Sequence, residues 1–206
     1  MSRAPEPATK DKLLDAAREL ILEKGFVGTT VDQICDRAGV TKGGFFHYFS
    51  SKDELGKQTL QKFCEANADF MAVSPVLTSR EPLQRIFDYV DIIVAACQNP
   101  VTNGCLAGVL SQEVSHSHPE LRKGCERAFS RWAAGLKAEM DAAKARYRPR
   151  ASNIDTQSLA EHLIAVFEGA LILAKARNDV APVRASLDHF KSYIRSVFRP
   201  TGTGKG

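Results

Sequence analysis

"AGVTKGGFFHYFSSKDEL", residues 38–55, decides how this chain reads. Two adjacent glycines, Gly43 and Gly44, fall where a helix is starting, and Phe45, Phe46, Tyr48 and Phe49 follow almost at once. Thr41 has the residue type and place of an N-cap, whose hydroxyl accepts a backbone N–H that the first turn leaves over. Four-residue spacing puts Phe45 and Phe49 on one side of the helix, with Ile34 and Ala38 upstream to pack against. The other side carries Lys42, Gly43, Phe46 and His47, with Tyr48 on the flank. Each glycine costs about 1 kcal/mol relative to alanine inside a helix. In exchange, a helix without Cβ atoms lets its backbone come close to another surface.

Upstream, Leu13, Leu14, Ala17, Leu20 and Ile21 recur at helical spacing until Gly25 ends the run as a C-cap. Thr30 and Gln33 have capping-box spacing and open a second, short helix through Val31, Ile34, Cys35 and Ala38, which Gly39 stops. Ser51 and Glu54 repeat the device ahead of Leu55, Thr59 and Phe63. Residues 30–50 thus outline a helix-turn-helix. In a DNA-reading version, the second helix lies in the major groove with its N-terminal residues at the base edges. The same spacing also describes a small helical hairpin with core phenylalanines, and the residues alone leave both open.

The rest of the chain predicts helices over about 80–97, 104–115, 117–146, 156–177 and 181–198, and no strand alternation. Ser117 and Glu120 fit a further capping box, with Pro119 tolerated in the first turn. The fold class expected is all-α, with about nine helices and a seam near residues 50–55. Residues 1–9 read as a short disordered arm and residues 200–206 as a fraying tail.

At 206 residues and 44% apolar composition, the chain can bury a sizeable core, and no run of about 18 apolar residues appears. Net charge is +4, which permits a nucleic-acid partner without requiring one. Residues 1–52 hold eight Lys/Arg against seven Asp/Glu, so a basic surface there must be a local face. Cysteines 35, 64, 97, 105 and 125 show no CxxC or Cys/His spacing, and with no apolar leader segment they point to a reduced cytoplasm. His116 and His118 in "SHSHPE" lack the further ligands a metal would need and read as a polar loop with a helix cap. No nucleophile–base motif, phosphate loop or metal constellation supports an enzyme, and no cofactor is expected.

The run "TTVDQICDRAGVTKGGFFHYFSSKDEL" resembles the DNA-binding signature of the TetR family of bacterial transcriptional regulators. Thr30, Val31, Ile34, Ala38, Gly39, Val40, Thr41, Gly43, Tyr48, Phe49, Lys52 and Leu55 stand at the family's places, and residues 10–56 are covered. The resemblance implies a DNA-binding domain over 10–52 and a ligand-binding and dimerisation domain over 53–199. It implies DNA contacts from Thr30, Thr41, Lys42, Gly43, Gly44, Phe46, His47, Tyr48 and Lys52. Phe46 stands where the family has a tyrosine whose hydroxyl contacts phosphate, which shifts backbone contact to Tyr48, Thr41 and Lys52. Lys42 and His47 remain for base readout, and Lys42 can donate to guanine O6 and N7.

For the second part, the resemblance implies a homodimer whose last two helices form a four-helix bundle with the partner's, on a double-stranded operator of palindromic form. Leu163, Phe167, Gly169, Ala170, Ala174, Phe190 and Ile194 are the candidate dimer residues, although a simply buried helix would read the same way. It also implies a small-molecule effector that lowers DNA affinity by favouring one of two dimer states. Phe87, Val90, Ile93, Val94, Leu106, Val109, Leu110, Trp132 and Phe167 are candidate pocket lining, with Glu113 to orient a polar group. An apolar helical stripe is otherwise plain core. Cys105 follows Asn103-Gly104 at a helix start in a setting similar to that of family members sensing electrophiles or oxidants. It is a candidate sensor thiol, or else a small buried hydrophobe.

Overall fold

A computed structural model of the chain describes residues 9–73, 79–98, 104–147 and 154–198. The expected arm lies outside these residues except for Thr9, which opens the first helix, and the expected tail lies outside them altogether. All regular structure among the described residues is helical. The nine helices are α1 (Thr9–Lys24), α2 (Val31–Ala38), α3 (Lys42–Tyr48), α4 (Lys52–Val73), α5 (Pro82–Ala96), α6 (Leu106–Val114), α7 (Pro119–Tyr147), α8 (Thr156–Arg177) and α9 (Ala181–Val197).

The chain divides into two compact units, Met1–Asp69 with Gly104–Ala128, and Phe70–Asn103 with Phe129–Gly206. In the first, α1 packs on α2 and α6, and α2 packs on α3. α1 buries Leu13, Leu14, Ala17, Leu20 and Ile21, joined by Ala16 and Leu22. It stops at Gly25, whose φ of +84° is open to glycine and strained for other residues. A full capping box opens α2: the Thr30 hydroxyl accepts the Gln33 N–H at 3.2 Å, and Gln33 Oε1 accepts the Thr30 N–H at 3.0 Å. Such a cap stabilises a helix by about 1 kcal/mol. Arg37 then ties α2 back to α1, its guanidinium reaching Glu19 at 3.1 Å and Glu23 at 3.2 Å.

Two expected caps differ in detail. Ser51 Oγ accepts the Glu54 N–H at 3.1 Å, but the Glu54 carboxylate is held by the Gln58 amide at 2.7 Å. Ser117 does not open α7, because its hydroxyl pairs with His118 Nδ1 at 2.7 Å. Pro119 takes the first helical position, where its fixed φ and missing N–H fit, and this puts the helix start two residues beyond the expected serine.

In the second unit α8 packs on α9, and α9 on α5. Asp155 caps α8 by accepting the Gln157 and Ser158 N–H groups, and Asn178 closes it in the left-handed region at φ 50°. Thr156 Oγ1 donates to Asp141 of α7 at 2.6 Å, which anchors the first turn of α8. Lys191 of α9, itself buried, pairs with Asp91 of α5, and Arg195 lies 4.5 Å from the centre of the Phe87 ring.

Candidate nucleic-acid interface

α3 sorts its aromatics by side. Phe45 and Phe49 are 0% and 1% exposed, while Phe46 and Tyr48 stand out at 54% and 40%. The buried pair tilts together at 5.7 Å between ring centres and shares the core with Ile34, which is itself fully buried. Burying a phenylalanine fully stabilises a fold by about 2–3 kcal/mol, so these two rings fix which side of α3 faces inward. The outward rings are steadied at their edges: Phe46 against Phe45 at 5.1 Å, and His47 against Tyr48 at 4.8 Å. Thr41 caps the helix, accepting the Gly44 N–H at 3.1 Å. Both this hydroxyl and that of Thr30 accept through oxygen, which leaves each hydrogen for a second partner.

The two glycines have different reasons. A Cβ on Gly44 would come within 2.9 Å of Val40 Cγ1, so that residue seats α3 on the turn before it. A Cβ on Gly43 would meet nothing nearer than Thr41 Oγ1 at 4.0 Å. Gly43 is therefore bare on the solvent side, where packing within the chain does not ask for it. Lys42 is exposed beside it and ion-pairs with Asp32 at 2.8 Å, a contact that holds its ammonium above the usual lysine range. Water surrounds both partners, so the pair can be exchanged for another anion.

Lys52 is placed elsewhere than the sequence reading expected. Its Nζ donates to the Phe26 carbonyl at 2.9 Å and to the Thr29 carbonyl at 3.0 Å, and lies 4.4 Å from the centre of the Phe26 ring. Burial pulls its pKa down, against the opposing charges of Asp53 and Glu113. It acts as a clasp between the start of α4 and the loop joining α1 to α2. Glu113 is the other half of that clasp, and this corrects its expected place in a pocket. Its carboxylate accepts the Phe26 N–H at 2.6 Å and the Val27 N–H at 3.0 Å. A Cβ on Gly25 would collide with the same carboxylate. His118 completes the cluster, 3.5 Å from Asp53 and edge-on to Phe26 at 5.5 Å.

The remaining expected sites separate in the same way. Leu106, Val109, Leu110 and Glu113 belong to the first unit, whereas Phe87, Val90, Ile93, Val94, Trp132 and Phe167 belong to the second. Val90, Leu106 and Leu110 are 0% exposed and serve as core. Of the expected dimer residues, Leu163, Phe167, Ala170, Ala174, Phe190 and Ile194 are all buried within the chain, because α8 and α9 pack on each other. Gly169 alone faces outward, and a Cβ there would meet nothing within 4 Å. One turn along α8 stand exposed residues the sequence reading passed over, Ile172 and Leu173, and on α9 Tyr193 is exposed with its ring 5.8 Å from that of His162. The adjacent pair Ile172–Leu173, lying off the main stripe of α8, was the available signal. Cys105 caps α6, its Sγ accepting the Gly108 N–H at 3.4 Å. Burial instead pushes the thiols of Cys35, Cys97 and Cys125 up.

Residues 13–58 match the bacterial regulatory proteins of the tetR family, and residues 82–190 match the tetracyclin repressor-like C-terminal domain. The chain belongs to the TetR family. It is similar to the HTH-type transcriptional repressor DhaR of Mycobacterium sp. (strain GP1), at 26% identity over 98% of this chain and 96% of that one. It is 27% identical to the HTH-type transcriptional repressor NemR of Escherichia coli (strain K12), over 94% of this chain and 98% of that one. Among solved structures, the regulatory protein TetR from Rhodobacter sphaeroides superposes with a TM-score of 0.81 at 25% identity, covering 90% of this chain and 98% of that one. The chain is thus a helix-turn-helix transcriptional regulator, a DNA-binding protein rather than an enzyme, of a family that typically acts as dimers. No helix among the described residues is long and apolar enough to cross a membrane.

Proposed function

We propose that the protein is a cytoplasmic repressor that binds an imperfect palindrome as a homodimer and lets go when its second unit takes up a small-molecule effector. One observation carries the DNA reading: α3 buries Phe45 and Phe49 and turns Lys42, Gly43, Phe46, His47 and Tyr48 outward. Gly43 lets the backbone lie against the duplex, Lys42 and His47 reach base edges, and the Thr30, Thr41 and Tyr48 hydroxyls meet phosphates. Lys52 acts on this surface by holding its supporting loop. The outward face of Gly169, Ile172 and Leu173, with the exposed Tyr193 of α9, supplies the dimer contact, and two-fold symmetry then gives two reading heads for two half-sites.

Selection of duplexes from a random pool, followed by electrophoretic titration at physiological salt, tests the reading. The expected result is one family of imperfect palindromes bound about a thousandfold or more above random DNA. Equal retention of selected and random duplexes overturns it. A second reading is favoured by Cys105, which caps α6 through its sulfur while three other thiols are held protonated by burial. In that reading the switch is modification of Cys105, or a protein partner, and not a reversible ligand. Alkylation of native protein by iodoacetamide supports it if Cys105 reacts well ahead of Cys64, and removes it if the two react alike.

A further inference from the structure

Trp132, the only tryptophan in the chain, lies on α7 with its ring edge-on to Phe167 of α8, the ring centres 5.8 Å apart. Its Nε1–H is shut off from solvent and donates to no acceptor among the described residues. Buried donors in folded proteins are almost always met, and one left over is unfavourable by an amount comparable to a lost hydrogen bond. An indole nitrogen can only donate, so rotation about its bonds cannot turn it into an acceptor. An unmet donor beside an aromatic ring has half of what a ligand site needs: a fixed polar point on an apolar wall.

Two other groups of the second unit narrow the ligand. Glu168 follows Phe167 on α8; burial, and then the Glu168 charge, push the Cys97 thiol up to about 11. At neutral pH that thiol is almost wholly protonated, so Cys97 is a poor trap for electrophiles. A carboxylate one residue along α8 from Phe167 disfavours an anionic ligand, and a cation without an acceptor leaves Nε1–H unmet.

We propose that the second unit binds a small uncharged organic molecule bearing a hydrogen-bond acceptor such as a carbonyl oxygen. The acceptor sits on Trp132 Nε1, and the apolar body lies against Phe167. This rests on the ligand-responsive reading above and names the chemistry of its effector.

A single tryptophan gives a single indole N–H resonance, which makes the test direct. Full-length protein labelled with ¹⁵N-tryptophan is titrated with acetophenone, with ethylbenzene (the same body without the acceptor) and with benzoate (the acceptor with a charge). The expected result is a saturable downfield shift of the indole proton with acetophenone alone. Calorimetry should then show Trp132→Phe binding acetophenone about tenfold more weakly, since a good hydrogen bond is lost. A resonance that ethylbenzene or benzoate moves as far, or that no probe moves, overturns the proposal and leaves the donor to water. So does a Trp132→Phe variant that binds acetophenone as well as the parent. Operator titration of the ligand-free protein separates the outcomes. If DNA selectivity is absent the regulator reading falls, whatever the indole shows; if it is present and the indole is silent, only the ligand chemistry falls.

Discussion

α3 and α8 both carry apolar side chains on more than one face, but for different reasons. At α3, seven residues long, the inward rings of Phe45 and of the capping Phe49 are buried to 0–1%, and the outward Phe46 and Tyr48 stay 54% and 40% exposed. In α8, twenty-two residues long, a wide inward face holds Leu159, Leu163, Phe167, Ala170 and Ala174 against the rest of its own unit, and Ile172 and Leu173 are left outside. On a short helix every residue has one plausible side, and the outward apolar residue stands apart. On a long, broadly apolar helix the inner and outer faces merge in the sequence, and only the packing of α9 tells them apart. In the proposal these leftovers serve two partners, DNA for α3 and a second copy for α8.

The sharpest way to break the comparison is to remove one ring from each side of α3. Phe45→Ala should destabilise the protein by about 3–5 kcal/mol in urea unfolding, because it empties a fully packed site. Phe46→Ala should change stability by no more than about 0.5 kcal/mol and still weaken operator binding. Equal stability losses would mean the helix has no distinct outer face. On α8, Ile172→Asp with Leu173→Asp should yield monomers of 22.6 kDa by sedimentation equilibrium, with helical content retained. A variant that remains dimeric would move the interface elsewhere.

The glycines and the neighbouring lysine refine the same contrast. Gly43→Ala should raise stability by up to about 1 kcal/mol, while operator affinity falls. Gly44→Ala should gain less or lose, because Val40 stands in the way. Lys42→Ala should weaken operator binding and relax selectivity at the base pair it reads. Unchanged affinity in electrophoretic titrations removes Lys42 from the interface.

The smallest expected effect concerns how the two helices begin. α3 is capped by a neutral hydroxyl, whereas the first turn of α8 is held by Asp141, whose pKa is depressed by hydrogen bonds from Lys137 and then Thr156. A carboxyl with a lowered folded pKa adds stability above its unfolded value near 3.8, and that stability is lost as pH falls through the folded value. Asp141→Asn should therefore reduce the difference in urea midpoint between neutral pH and about pH 3. An unchanged difference would mean that Asp141 contributes nothing to it.

Much of this was legible in the sequence where cause and effect lie close along the chain. Thr30, Thr41, Gly25 and Gly39 act within four residues of themselves, and the inward placement of Phe45 and Phe49 follows from spacing on one short helix. What was not legible depends on distant partners. Glu113 meets Phe26 across 87 positions, and Lys52 meets it across 26, so nothing local marks them as a clasp. A lysine near a DNA-reading helix invites a phosphate, and only the carbonyls of Phe26 and Thr29 redirect it. The expected dimer residues are buried within the chain for the related reason that α8 and α9 pack on each other, on the face the sequence left ambiguous.

The interlock of Gly25 with Glu113 constrains how such a chain can change over generations. A side chain at position 25 collides with the acid across the way, and loss of the acid leaves two loop amides without their acceptor. The two positions are therefore bound to an order: the acid must be replaced first, and some other acceptor found, before anything larger than hydrogen can settle at 25. Lineages that skip the first step would be expected to lose the loop that carries the reading head.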